Sequence, residues 1–157
     1  KQMTVTNRCD NTYHSGVGIR LNNAKVELID VALKGCKSHA FFIPNSSSET
    51  TVVVATRCEF ANSSMSGADV QGSLTSAKFN NCVFHDNKYE GIAGSIGATI
   101  HLHGEATAIH SNKGDGIFAV DSGKVIIHIP SLHNTSYNNG EEDRFTENGG
   151  TITNVED

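Results

Sequence analysis

Short bursts of alternating polarity recur along the chain, as in Lys25-Val26-Glu27-Leu28, Val52-Val53-Val54-Ala55, Ser76-Ala77-Lys78-Phe79, Thr99-Ile100-His101-Leu102 and Lys124-Val125-Ile126-Ile127. Successive side chains of a strand point to opposite faces, so each burst predicts a short strand with one inward row. A second set of strands follows a glycine each time: Gly18-Ile19-Arg20-Leu21, Gly67-Ala68-Asp69-Val70, Gly91-Ile92-Ala93-Gly94 and Gly116-Ile117-Phe118-Ala119-Val120.

Ahead of these glycines lies a third element, clearest in Cys82 to Ile92 and Thr107 to Ile117, which align without a gap. Phe84 matches Ile109, His85 matches His110, Asn87 matches Asn112, Lys88 matches Lys113 and Glu90 matches Asp115. Weaker copies run from Cys9 to Gly18, Val31 to Ala40 and Cys58 to Gly67. The unit is therefore about 24 residues with three short strands, none able to bury its apolar face alone, so units must stack. After Val125-Ile126-Ile127-His128-Ile129 the pattern drifts, and register is expected to be lost between Ser131 and Gly140. Glu141, Glu142 and Asp143 read as a solvated excursion before a last strand at Thr151-Ile152-Thr153.

The motif apolar-x-x-Asn-x-x-x-Gly-Ile in Phe84 to Ile92 and Ile109 to Ile117 resembles the right-handed parallel β-helix of the pectate-lyase-like superfamily, over nearly the whole chain. The resemblance implies an all-β fold: a single-stranded right-handed parallel β-helix, or solenoid, of about six coils with three short parallel sheets. Residues 1–157 form one domain in this view, and Lys1, with neither a start Met nor a signal-like segment, suggests a piece of a longer protein. The superfamily holds polysaccharide lyases, hydrolases, epimerases, viral tail proteins and scaffolds, so the fold does not give the function. The Asn-Thr-Asp, Asp-Asp, Gly-His-Gly and Arg-Ile-Lys elements of its polygalacturonase-like members do not occur here.

Stacking turns sequence equivalence into adjacency at about 4.8 Å. Cys9, Val31, Cys58, Cys82 and Thr107 are expected in one column, with Asn11, Leu33, Phe60, Phe84 and Ile109 in the next inward one. The spacing permits a disulfide between Cys58 and Cys82. Asn87 and Asn112 are expected at turns that tolerate left-handed geometry, with amides bonding up the column, and Gly67, Gly91 and Gly116 serve the turns.

Net charge is −5, with scattered cations, which disfavours a nucleic-acid partner; no apolar run reaches membrane-span length. Of eight histidines, His85 and His110 form one predicted neighbouring pair and His103 and His128 another. With His101 on the same face, the second pair offers imidazoles to a transition metal or an anionic sugar, although no carboxylate is in register to complete a metal site. No metal ligand set is therefore assigned. Glu90 and Asp115 are candidate catalytic carboxylates for glycoside chemistry, or calcium ligands, and no other cofactor is called for. With no Trp in the chain, Tyr89 is the turn aromatic best placed as a sugar platform.

The expected function is a non-catalytic scaffold or recognition module presenting an extended sheet face to a glycan or protein partner. The alternative is a polysaccharide-active enzyme, a lyase, glycoside hydrolase or epimerase, using Glu90 and Asp115 or the His101, His103 and His128 face. The terminal coils need a neighbouring domain or self-association to cover them. An extracellular or cell-surface setting is favoured, where the sequons at Asn45, Asn62 and Asn134 would permit glycosylation.

Overall fold

The computed structural model describes residues 3–8, 16–46, 50–130 and 135–155. These residues wind through six coils, each contributing one strand to each of three parallel six-stranded sheets. The first sheet stacks Met3–Val5, Val31–Lys34, Glu59–Ala61, Val83–His85, Ala108–His110 and Ser136–Tyr137. The second stacks Ile19–Arg20, Phe41–Ile43, Ala68–Gln71, Ile92–Ser95, Ile117–Ala119 and Arg144–Thr146. The third stacks Lys25–Ile29, Thr51–Thr56, Thr75–Asn80, Thr99–His103, Lys124–His128 and Thr151–Asn154. This is the solenoid that the repeats predict.

Leu33, Phe60, Phe84 and Ile109 form an inward column, all fully buried. Phe60 stacks on Phe84 with centroids 4.6 Å apart, and Phe79 meets both edge-on at 5.6 and 5.1 Å. The first coil enters this column differently from the sequence alignment. Val5, not Asn11, pairs with Leu33, and Met3 takes the place beside Val31 that the repeat gave to Cys9. Cys9, Asn11 and Tyr13 lie outside the described residues. The first coil thus carries a longer connection between its first two strands than its successors, which shifts the repeat's apparent start.

The sixth coil keeps its register. Ser136 pairs with Ile109, Tyr137 with His110 and Arg144 with Ile117. Glu141, Glu142 and Asp143 are exposed as expected, yet the carbonyls of Glu142 and Asp143 accept from the N–H groups of Gly116 and Ile117 at 2.8 and 3.1 Å. Backbone pairing survives there because it needs no apolar side chain, only parallel alignment.

Two turn expectations change in detail. The left-handed residue at the first corner is the one before the asparagine, or before Ser63 in its place: Asn62, Asp86, Ser111 and Asn138 have φ of 55°, 55°, 57° and 55°. Asn87 and Asn112 are themselves buried, and their amides bond up the column as expected. The glycines beside them are demanded by crowding. A Cβ at Gly67 would lie 2.6 Å from the Gly91 carbonyl oxygen, and one at Gly91 would lie 2.7 Å from Asn112 Nδ2.

The disulfide does not form: Cys36, Cys58 and Cys82 are buried free thiols. The Cys82 sulfur accepts from the Cys58 N–H at 3.5 Å, while the two thiols face backbone carbonyls of Thr56 and Ala55 at 3.4 Å. They pack as small hydrophobes with weak donors.

Candidate functional site

On the outer face of the second sheet, one column reads Arg20, Phe42, Asp69, Ala93, Phe118, Phe145. Ala93 has little side chain where its neighbours above and below are large, so the face dips between Asp69 and Phe118. The dip opens into a groove of about 500 Å³, within the size range of small-ligand sites. Phe42, Phe118 and the exposed Tyr89 and Ile96 supply its apolar boundary, while Asp69, Gln71, Glu90 and Asp121 supply polar groups.

The polar groups are held in place by neighbours. Gln71 Nε2 donates to Asp69 Oδ2 at 3.1 Å, and the Ser66 hydroxyl donates to Glu90 Oε2 at 2.6 Å. His39 Nε2 lies 3.8 Å from Asp69 Oδ2, and its ring stacks on Phe42 at 5.2 Å. Burial pushes the Asp69 carboxyl up to about 7; the Gln71 hydrogen bond opposes this and the negative charge of Glu90 reinforces it. Arg20 sits over the Phe42 ring at 5.5 Å, a cation–π contact that orients the neighbouring aromatic.

Glu90 and Tyr89 from the sequence reading therefore meet in this groove, which Asp115 does not line. Asp115 stacks directly on the Glu90 turn, where the Gly91 N–H donates to the Asp115 carbonyl at 2.9 Å. The residue is 6% exposed, and Oδ1 accepts the Glu142 N–H at 2.9 Å. Asp69, Gln71, Phe42 and Phe118 were not among the sequence candidates. The second residue after each repeat glycine reads Asp69, Ala93, Phe118, and that break in side-chain size was the available signal.

The histidines singled out from the sequence occupy the other two sheets. On the first, His85, His110 and Tyr137 stack with centroids 5.3 and 5.2 Å apart. Both His85 nitrogens face carboxylates, Nδ1 at 2.6 Å from Asp86 and Nε2 at 2.8 Å from Glu59, which Lys34 Nζ also reaches at 2.6 Å. Burial works against the Glu59 charge, but the bonds from Lys34 and His85 prevail and hold its carboxyl below the usual range. On the third sheet, His103 stacks on His128 at 4.1 Å, and His101 Nδ1 lies 3.0 Å from His128 Nε2. The three rings are half-buried and far from neither solvent nor one another.

The chain belongs to the family described as right handed beta helix region, whose model matches residues 15–156. The superfamily resemblance is consistent with that membership. Comparison with curated proteins and with solved structures returns no match. Among the described residues, no helix is long and apolar enough to cross a membrane.

Proposed function

We propose that this β-helix is a non-catalytic recognition module that binds a glycan in the groove on its second sheet. The observation that carries the reading is the groove itself: aromatic side chains Phe42, Tyr89 and Phe118 border a short row of fixed polar groups, Asp69, Gln71 and Glu90. Pyranose rings present apolar faces and a rim of hydroxyls, so aromatic walls with carboxylate and amide acceptors suit them. Two further acids at the groove, Glu90 and Asp121, disfavour uronic or sulfated sugars. The ligand class is accordingly a neutral or amino sugar chain. Coils of a solenoid extend the same face along its axis, which suits a polymer.

One observation favours a second reading, a glycoside hydrolase. Asp69 stays protonated up to about pH 7 beside Glu90, and an acid held neutral next to a second carboxylate has the property required of a general acid. The deciding experiment incubates the protein with neutral and amino oligosaccharides, measuring binding by calorimetry and chain length by mass spectrometry. Binding with intact chains supports the module. Shortened chains, lost in Asp69→Asn, support the hydrolase, and no binding in any arm removes both.

A further inference from the structure

Outside the groove, the side-chain cluster that carries an inference is on the third sheet. His103 and His128 are direct partners across the parallel pair, and His101 lies two residues before His103 on the same outer face. Ile100, Leu102 and Ile127 alternate with them and are fully buried, so the three rings stand on a packed floor. One nitrogen from each ring lies within 4.8 Å of the other two. Tetrahedral zinc, with Zn–N of about 2.0–2.1 Å, sets its nitrogens about 3.3–3.4 Å apart. Zinc binding therefore calls for the imidazoles to turn toward a common point, a side-chain movement of ångström size. Imidazole nitrogen selects zinc, copper or nickel over calcium and magnesium, which take oxygen ligands.

We propose that His101, His103 and His128 bind one divalent transition-metal ion, with zinc as the reference case. Three protein ligands leave a coordination position open toward solvent, as in sites that accept a water or an outside ligand. Lys78 neighbours His101 on the preceding coil and is exposed, and its positive charge, which acts on His101, is one that an incoming metal ion meets. The site lies on a different sheet from the groove and does not depend on the glycan reading.

The test is calorimetric titration of the folded protein with zinc, paired with cobalt titration followed by its visible absorption. The expected result is one ion per chain, a cobalt band displaced by zinc, and a raised Tm. His103→Gln and His128→Gln are each expected to weaken zinc about tenfold or more, since even outer-shell losses cost that much. A His85→Gln/His110→Gln control keeps wild-type affinity. Absence of stoichiometric binding, or unchanged binding in the His101→Gln/His103→Gln/His128→Gln protein, overturns the assignment. Nitrogen-15 shifts of the three imidazoles in the wild-type protein on zinc addition give the same answer without any variant, and unmoved shifts likewise overturn it.

Discussion

The Asn112 side-chain oxygen accepts two hydrogen bonds from Asn87, one from Nδ2 at 2.9 Å and one from the backbone N–H at 3.2 Å. One coil further, Asn139 repeats this toward Asn112 at 2.9 and 3.2 Å. The second amide hydrogens reach the Phe60 and Phe84 carbonyls at 3.1 and 3.2 Å. The amides of Asn87 and Asn112 are thereby satisfied by the coils on both sides, as buried polar groups require.

Asn112→Ala strips Asn87 of two acceptor contacts and the Phe84 carbonyl of a donor, all in buried surroundings. Each orphaned group costs about 1–3 kcal/mol, and urea unfolding should lose several kcal/mol. Ser63, which accepts nothing from a further amide but whose N–H donates to Asn87 Oδ1 at 3.1 Å, marks the ladder's upper end. Ser63→Ala should be milder than Asn112→Ala, and equal losses would mean that the amides do not carry the corner.

Gly91→Ala places a methyl 2.7 Å from Asn112 Nδ2 and 2.8 Å from the Gly116 carbonyl oxygen. Overpacking of this kind costs about 1–3 kcal/mol. Gly94→Ala is crowded by the Ile100 side chain alone, at 3.1 Å, which can yield, and meets Val125 at an ordinary 3.7 Å. Thermal melts should therefore rank Gly91→Ala well below Gly94→Ala.

Phe84→Ala removes a fully buried ring stacked against Phe60 and edge-on to Phe79. A loss of about 3–5 kcal/mol is expected in denaturant unfolding.

The Asp69 carboxyl titrates near 7 in the fold against 3.8 ordinarily, so the folded chain binds more protons there than the unfolded chain between those values. Stability from this group falls as pH rises through that window and stays low above it. Asp69→Asn should flatten the fall, gaining at pH 8 relative to pH 4 by at most about 4 kcal/mol, taking about 1.4 kcal/mol for each pH unit of difference. Identical pH profiles for the two proteins would place Asp69 in a solvated setting.

Much of this was legible in the sequence, for a physical reason: in a parallel stack, residues that align in the repeat also touch. His103 over His128, Phe60 over Phe84 and Asn87 over Asn112 followed directly. The last coil was not legible, because Ser136 and Arg144 keep the backbone register while replacing Ile109 and Ile117, the apolar residues that mark it. The Cys9 column failed similarly, through a connection of different length ahead of the second strand. The groove was hidden because its defining residue, Ala93, matters for what it lacks between Asp69 and Phe118.

The most direct measurement is backbone and side-chain NMR of the protein titrated with neutral and amino oligosaccharides, repeated with Ala93→Phe to fill the dip. The account predicts saturable shifts confined to the second sheet and its rim, at Asp69, Gln71, Tyr89 and Phe118, with chains left intact and shifts abolished in Ala93→Phe. Shifts centred on another sheet, or undiminished in Ala93→Phe, would contradict it.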